Sequence, residues 1–361
     1  MAYAPIPMVP GPVSVPRSVL DAMSRDYGSG QIEPDFLALY HATGRLLARL
    51  MNTRNDVVIM TGEGMLALWS GLKSCLAPGD RVLSLVTGVF GDGIGDMAAS
   101  LGCEVRKVTF AFNETIHEMD RVEAAVREFR PHMITAVHCE TPSGTLNPIE
   151  GLGDLKRQYG VPLLYVDAVA SLGGAAVDMD AWGVDLLLGG SQKCLSAPPS
   201  MSFLGVSEAA WERAAQVGYQ GYDALSPWRT VRTDGRCPYT PYWHGVAALH
   251  EAAQSLLYEG PDAVFARHES VGAACRHGLE QLGVELWVAP GSRPSPTVTA
   301  ALVPHNVDWP VWQAALRRRG LIVAGSFGPM QGQVFRLGHM GSQARLPLVE
   351  QALEAIASAL A

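Results

Sequence analysis

The sequence predicts an α/β fold built around a mostly parallel sheet, and three observations carry this prediction. Short apolar runs that end in turns alternate with stretches of helical periodicity from residue 57 to about residue 190. The runs at 161–166 and 184–188 are continuous, as is typical of strands buried on both faces. From about residue 260 onward a different order of helices and strands favours a second, smaller α+β unit.

Length and composition indicate how the chain is divided and which partners are excluded. With 361 residues the chain exceeds one typical domain, and 48% apolar residues are enough for a sizeable core. We expect an N-terminal arm over residues 1–20, a large α/β domain over 21–258 and a small C-terminal α+β domain over 259–361. The net charge of −8, with no basic run, argues against nucleic acid or an anionic membrane surface as partner.

Cysteine usage and the N-terminus favour a cytoplasmic protein. The six cysteines are scattered without a CxxC pair, so we expect free thiols in a reducing compartment and no structural zinc. A lone His138 has no metal partner at a usual spacing, so no metal site is expected. The first residues show no signal peptide, and no apolar run reaches the ~18 residues of a membrane span.

The N-terminal two thirds of the chain follow the alternation of strand and helix. Residues 5–16 hold five prolines and predict an extended arm, which a short helix follows from Pro16. Helices are further predicted at 36–51, at 65–76, at 119–129 and from 147. Strands are predicted at 57–60, 81–86, 103–110, 133–137, 161–166 and 184–188.

The last third of the chain predicts the smaller unit. Residues 205–235 are less regular, and a long helix follows them to about residue 257. Further helices are predicted at 262–283, 309–319 and 346–360, and a strand at 297–303. We expect 321–324 and 333–337 to form a pair of strands.

Two strand ends carry the groups with the clearest chemistry. Asp167 ends one apolar run, and Lys193 follows the next run after a Gly-Gly turn. Because ligands of open α/β sheets bind outside the carboxyl ends of the strands, both side chains are candidates for one pocket. A lysine forms a Schiff base with an aldehyde cofactor, and a carboxylate keeps a pyridine nitrogen protonated. Taken alone, the pair also fits a solvated aspartate and a surface lysine.

Two glycine-rich turns bear on anion binding. The turn at 62–64 feeds a helix, and the free N–H groups of a helix N-terminus favour an anion. The glycines at 88, 91, 93 and 95 do not have the GxGxxG spacing of a dinucleotide fingerprint. A nicotinamide or flavin site is therefore not expected.

The residues around this pair resemble class V pyridoxal-phosphate aminotransferases. The resemblance rests on 166–174 (VDAVASLGG), on 190–199 (GSQKCLSAPP), on the HxETxxG pattern from His138 and on the RxGHMG run from Arg336. It extends from Gly11-Pro12 to Arg336 and is greatest to the alanine–glyoxylate (serine–pyruvate) and pyridoxamine–pyruvate branches. The resemblance implies a fold type I pyridoxal-phosphate transferase, with a mostly parallel sheet between helices in its large domain.

The resemblance also implies a role for individual residues. Lys193 would carry the Schiff base and move a proton, Asp167 would pair with the pyridinium nitrogen, and Arg336 would grip the substrate carboxylate. The remaining cofactor-binding residues would be Glu63, Gly64, Met65, Phe90 (ring stacking), Thr141 (near the ring 3-oxygen), Val169, Gln192 (phosphate end) and Thr240. Thr240 would come from the neighbouring subunit, which would make the active site a property of a homodimer.

Two departures from the alanine–glyoxylate pattern bear on the substrate. Glu63 stands where that branch has a small hydroxyl residue, and a carboxylate there would oppose a dianionic phosphate. The pyridoxamine–pyruvate branch has a glutamate here, because its vitamer substrate carries no phosphate. Phe327, however, stands where that branch has a second arginine, so a two-arginine carboxylate clamp is not supported.

We therefore expect an aminotransferase that uses pyridoxal phosphate to move an amino group between a small amino acid and a small 2-oxo acid, pyruvate or glyoxylate. Pyridoxamine as the amino donor, with free pyridoxal as product, is the leading alternative. A pyridoxal-phosphate lyase or desulfurase is a lesser one, because Cys194 follows Lys193 directly and a desulfurase needs a cysteine on a mobile loop. A binding protein that kept the fold and lost the chemistry would hold no cofactor.

Overall fold

The computed structural model describes residues 5–31, 33–305 and 307–361. Residues 1–4 of the expected arm lie outside this description. The strands are β1 Ile6–Pro7, β2 Asp56–Thr61, β3 Arg81–Val86, β4 Glu104–Thr109, β5 Met133–Val137, β6 Cys139–Glu140, β7 Thr145–Leu146, β8 Leu163–Asp167, β9 Leu186–Gly190, β10 Met201–Val206, β11 Val298–Leu302, β12 Leu321–Ile322, β13 Ala324–Gly325 and β14 Val334–Gly338. The helices are α1 Arg17–Met23, α2 Pro34–Leu50, α3 Gly64–Cys75, α4 Val89–Ser100, α5 Met119–Phe129, α6 Glu150–Tyr159, α7 Glu208–Val217, α8 Val231–Asp234, α9 Trp243–Glu259, α10 Pro261–Gln281, α11 Trp309–Arg318 and α12 Leu346–Leu360. None of the helices within this description is long and apolar enough to cross a membrane.

A seven-stranded sheet with the order β2-β10-β9-β8-β5-β3-β4 forms the centre of the larger part. Strand β10 runs antiparallel to both of its neighbours, and the other strands run parallel to one another. The mostly parallel sheet expected from the sequence is confirmed. Strand β10 was not predicted from the sequence, although all six of its residues are buried.

The sheet is covered by helices on both faces, which is why its central strands β5, β8, β9 and β10 are buried along their whole length. Leu164 and Val166 of β8 join the core on the side of α2 and α9, whereas Leu163 and Tyr165 join the core on the side of α3. The Tyr165 hydroxyl donates a hydrogen bond to the Ala67 carbonyl of α3, at 3.1 Å, so the one polar atom of this side chain is satisfied. The alternation of faces along a strand thus fills two separate cores.

A three-stranded antiparallel sheet, β11-β14-β13, forms the centre of the C-terminal part. Helices α10, α11 and α12 pack against this sheet around Trp312, Phe335 and Ile356. The N-terminal arm also contributes here, since Met8 is fully buried in the same core. Residues from 271 onward thus share one core with the arm, and the division into domains stays a prediction.

The expected pairing of 321–324 with 333–337 is wrong in part. Strand β12 pairs with the arm strand β1 in parallel, and only β13 pairs with β14. The arm takes part because non-proline residues alternate with its prolines. The N–H groups of Ile6 and Met8 donate to the Gly320 and Ile322 carbonyls, at 2.8 and 2.9 Å. A proline has no N–H to donate, so its neighbours form the ladder.

Candidate active site

A cavity of about 340 Å³ lies at the carboxyl ends of the central strands, where an open α/β sheet binds its ligand. Its walls come from the turns that follow β2, β3, β6, β8 and β9. The cavity brings together nine residues that the sequence assigns to the site: Glu63, Gly64, Met65, Phe90, Thr141, Asp167, Val169, Gln192 and Lys193. Residues far apart in the chain thus meet because parallel strands end at one edge.

Asp167 is the last residue of β8 and its carboxyl group is buried. Its Oδ1 accepts a hydrogen bond from the Val169 N–H at 2.8 Å, a local turn that fixes the side chain. Burial raises the pKa of Asp167 to about 6, and the nearby Glu63 charge adds to this effect. Among the described residues Oδ2 has no hydrogen-bond donor, so this oxygen is free to accept a proton or an N–H from a ligand.

Lys193 lies in the turn after β9, with its amine between the cavity and the N-terminal arm. Its Nζ donates a hydrogen bond to the Pro10 carbonyl. Burial lowers the pKa of Lys193 to about 8, and the Arg336 charge adds to this effect. An amine with a lowered pKa is neutral in a larger fraction of molecules, and the neutral amine is the nucleophile that attacks an aldehyde.

The arm covers Lys193 at Gly11, a residue that the sequence analysis did not assign to the site. Gly11 has φ of +101°, and a Cβ atom there would lie 2.6 Å from both Cδ and Nζ of Lys193. Only glycine combines this backbone conformation with so close an approach. The Gly-Pro pair within the arm was the available signal, but only the fold shows what it covers.

The turn between β2 and α3 forms one end of the cavity. Gly64 and Met65 supply the first backbone N–H groups of α3, which have no acceptor within the helix. The Glu63 side chain precedes them and accepts a hydrogen bond from Gln192 Nε2 at 3.4 Å. Gln192 Oε1, in contrast, is buried and has no hydrogen-bond partner among the described residues. This end of the cavity therefore offers N–H donors and an unused acceptor beside a carboxylate.

Phe90 is held in place by a buried glutamate that the sequence analysis left without a role. Glu140 is fully buried, and its carboxylate accepts hydrogen bonds from the N–H groups of Gly91 and Phe90, at 2.7 and 3.3 Å. Burial raises the pKa of Glu140 to about 7. The carboxylate thus fixes the first turn of α4, from which the Phe90 ring borders the cavity. Its place in the HxET pattern was the signal for it.

Arg336 lies behind Thr141 and does not line the cavity. Its Nε and Nη2 donate to the Gly325 carbonyl at 2.9 and 2.5 Å, and its Nη1 donates to the Thr141 carbonyl at 3.3 Å. A guanidinium has five N–H groups, so these bonds leave two of them unused. The half-exposed Phe327 ring lies against the guanidinium, 4.8 Å from its carbon to the ring centroid.

Thr240 lies outside the cavity of its own chain. It is exposed, and it borders a separate small pocket together with Thr61, Tyr222 and Tyr239. A contact between Thr240 and the cavity described above is therefore not formed within one chain.

The surroundings of Cys194 and His138 indicate a structural role for both residues. Cys194 is buried, its thiol donates to the Ala170 carbonyl at 3.5 Å, and burial raises its pKa far above the ordinary value, so it lacks the reactivity of a mobile-loop nucleophile. His138 is buried, with Nδ1 2.9 Å from the Ser171 hydroxyl, and burial lowers its pKa to about 3. No group of three or more potential metal ligands occurs among the described residues.

Comparison with known proteins identifies the family. Residues 10–336 match the family described as Aminotransferase class-V. The chain belongs to the class V aminotransferases. It is 32% identical to the pyridoxamine–pyruvate transaminase of Mesorhizobium japonicum, over 98% of this chain and 91% of that protein. It is 31% identical to the alanine–glyoxylate aminotransferase of Drosophila melanogaster, over 98% and 91% of the two chains.

Structural comparison gives the same answer. The crystal structure of an alanine–glyoxylate aminotransferase from Nostoc sp. superimposes with a TM-score of 0.93 at 31% identity, over 100% of this class V chain and 96% of the other. The fold is that of the fold type I pyridoxal-phosphate enzymes, as expected. The protein is therefore a transaminase, and its family implies pyridoxal phosphate as cofactor.

The residues present fit this cofactor. A pyridoxal ring needs an amine that can condense with its aldehyde and an acceptor for its ring nitrogen. Lys193 supplies an amine with a lowered pKa, and Asp167 Oδ2 is an unused carboxylate oxygen in the same cavity. The orphaned Gln192 Oε1 and the helix N-terminus at Gly64 add polar partners at one end.

Proposed function

We propose that this transaminase moves an amino group between a small amino acid and a small 2-oxo acid, such as pyruvate or glyoxylate, with pyridoxal phosphate as its cofactor. The observation that carries the proposal is the meeting of Lys193 and Asp167 in one cavity, each with a pKa shifted by burial toward neutrality. The names of the relatives support the substrate class, since pyruvate and glyoxylate appear in them.

Each side chain has a defined part in this proposal. The cofactor, when bound, supplies an electron sink that stabilises negative charge at the substrate Cα. Lys193 would hold the cofactor at its aldehyde carbon, and its Nζ would take the proton from the substrate Cα. Asp167 accepts the ring N–H at Oδ2 and keeps that nitrogen positively charged. Phe90 packs against the ring, and Glu140 holds Phe90 in position.

Arg336 binds the substrate carboxylate with its two unused N–H groups. A planar fork suits a carboxylate because two parallel hydrogen bonds form at once. The three backbone bonds from Gly325 and Thr141 hold the guanidinium in one orientation. A single such fork, beside a cavity of about 340 Å³, favours substrates with one carboxylate and a short side chain.

The active form is proposed to be a cytoplasmic homodimer. Thr240 is exposed on its own chain beside the strongly exposed Tyr222, so both are available to a second subunit. In this arrangement the Thr240 hydroxyl reaches the cofactor of the partner and completes its phosphate end. We further propose that residues 21–258 and 259–361 act as large and small domains, with the arm over 1–20.

A second candidate is the transfer from pyridoxamine to pyruvate, with no phosphate on the vitamer. The observation that favours it is Glu63, whose carboxylate precedes the N–H groups of Gly64 and Met65 and contacts Gln192. A carboxylate at this place accepts a hydrogen bond from a free hydroxymethyl group but repels a phosphate dianion. Phe327 opposes this candidate, because a second cation is missing where it packs on Arg336.

A visible spectrum tests both candidates. We expect the purified protein to keep its absorbance after exhaustive dialysis and to lose it on addition of L-alanine, as a phosphorylated cofactor requires. A protein that is colourless after dialysis, and that gains absorbance with pyridoxal far more than with pyridoxal phosphate, would support the second candidate. Absence of absorbance with either compound would contradict the assignment of Lys193.

A further inference from the structure

A second and larger cavity lies at the opposite edge of the central sheet. Its volume is about 630 Å³, and it lies beside the amino end of β2, between α2, α7 and the turn before α8. Its defining residues, which we call the basic cleft, are Arg45, Arg49, Arg54, Arg229, Trp211 and Trp228. The catalytic cavity opens at the carboxyl end of the same strand, so the two sites share no residue.

The basic cleft carries positive charge although the molecule as a whole is negatively charged. The chain has a net charge of −8, yet among the described residues four arginines and a single acidic residue, Asp56, line this cleft. Of the four, only Arg229 forms an ion pair among the described residues, with Glu208 at 2.7 Å. Arg45, Arg49 and Arg54 are exposed and have no acidic partner within the described part of the chain.

Local structure does not account for this charge. Arg49 lies in the last turn of α2, where the helix dipole favours a cation. Arg45 lies four residues earlier on the same face, where a like charge is unfavourable for the helix. Arg54 follows beyond the helix and lines the same cleft. Three guanidinium groups that repel one another in free protein gain most from an anion placed between them.

The tryptophans supply an independent observation. Trp211 and Trp228 both line the cleft, and the indole N–H of each is buried without an acceptor among the described residues. A buried donor without an acceptor is unfavourable, and native structures satisfy most such groups. Both indoles therefore lack an oxygen acceptor of the kind that an anion offers.

We propose that the basic cleft binds a multivalent phosphate-bearing anion, at a site separate from the catalytic cavity. Arginine forks match phosphate oxygens in pairs, and several forks at once favour a chain of phosphates over a single charge. The volume is within the roughly 300–1,000 Å³ of small-molecule sites. The shared chemistry is a phosphate chain, whether free or carried by a nucleotide.

Titration of the cofactor-loaded enzyme with sodium tripolyphosphate, and separately with ATP, tests this proposal. We expect a saturable change in tryptophan fluorescence and a rise in Tm, both weakened by added salt. The variant Arg45→Gln/Arg49→Gln/Arg54→Gln should bind about tenfold more weakly or worse, with transaminase activity unchanged. Tighter binding of ATP would show that the nucleoside contributes, and equal binding would show that the phosphate chain suffices.

The matched control is Arg317→Gln/Arg318→Gln/Arg345→Gln, which removes the same charge from three exposed arginines of the C-terminal part. It should retain wild-type binding, whereas Trp228→Phe, which removes one indole N–H, should weaken binding and reduce the fluorescence change. An equal loss of anion binding in both triple variants would overturn the proposal, because net charge alone would then explain the binding. Absence of binding to the wild type would also overturn it. The proposal would also be overturned if the cleft substitutions dissociated the oligomer and the control did not, because the arginines would then form a contact between subunits.

Discussion

The carboxyl ends of the parallel strands in the central sheet and the amino end of strand β2 lie in opposite electrostatic surroundings. At the carboxyl end, Lys193, Asp167 and Glu140 are withdrawn from water, and burial moves the pKa of each toward neutrality. At the amino end, the arginines of the basic cleft are exposed and surround a space nearly twice as large. Both ends collect charged residues, but only the carboxyl end removes them from solvent.

This difference separates covalent chemistry from simple binding. A group that must exchange protons during a reaction works best when its pKa lies near the working pH, and burial provides that shift. A group that only holds an anion needs a permanent charge and several donors, which exposed guanidinium groups retain. The comparison predicts that substitutions at the carboxyl end alter catalysis and pH dependence, whereas those in the cleft alter ligand binding alone.

The largest expected effect comes from Lys193→Ala. This change removes both the amine that holds the cofactor and the group that moves the proton, so transaminase activity should fall by about 10⁴-fold or more. The visible absorbance of the loaded protein should also disappear. Initial rates with L-alanine and a 2-oxo acid, measured beside the absorption spectrum, check both outcomes.

The control for this prediction is Lys73→Arg. Lys73 forms an ion pair with Asp223 at 2.9 Å, so an arginine there keeps the charge. It should retain activity and absorbance. If Lys193→Ala kept even a tenth of the wild-type rate, Lys193 would not be the residue that bonds the cofactor and moves the proton.

The sequence predicted the carboxyl end of the sheet far better than its surroundings. Asp167 and Lys193 were found because each follows an uninterrupted apolar run, and a parallel sheet brings such ends together. Gly11 and Glu140 carried no assigned role, because their importance lies in contacts with residues far away in sequence. The arm strand β1 was missed for a related reason, since a two-residue strand has no periodicity to recognise.

The basic cleft could not be predicted from the sequence. Its arginines are spread over α2, the loop after it and the turn before α8, so no basic run marks them. The net charge of −8 argued against nucleic acid as a partner, but a negative net charge conceals a local positive surface. The fold places these side chains around one space, because α2 packs on β2 and α7 packs against the turn before α8.

A second prediction tests whether burial is what distinguishes the carboxyl end. Burial raises the pKa of Glu140 from 4.5 to about 7, so the folded protein binds this proton more tightly than the unfolded chain. Its contribution to stability is therefore complete below pH 4.5 and is lost as the pH rises through 7. Glu140→Gln should flatten this decline by on the order of 3 kcal/mol in the free energy of unfolding.

Urea unfolding of cofactor-free protein between about pH 4 and 8 measures this effect. Glu128→Gln is a suitable control because Glu128 is an exposed partner of Arg106, with its side chain 65% exposed. Its curve should run parallel to that of the wild type. Parallel curves for Glu140→Gln as well would show that folding does not shift the pKa of Glu140, and the contrast with the basic cleft would then not rest on burial.

The smallest expected effect distinguishes whether the arm positions Lys193 or only stabilises the protein. Gly11 and Gly79 have φ of +101° and +85°, so an alanine at either place costs about 1–2 kcal/mol in backbone strain. They differ in what the new Cβ meets: nothing within 4 Å at Gly79, but the end of the Lys193 side chain at 2.6 Å at Gly11. Because that end is flexible, the fold can absorb the contact by moving the amine.

Gly11→Ala and Gly79→Ala should therefore lower the free energy of unfolding equally, while only Gly11→Ala lowers kcat, by up to about 10²-fold. An equal loss of kcat in both variants would mean that the arm stabilises the protein without positioning Lys193.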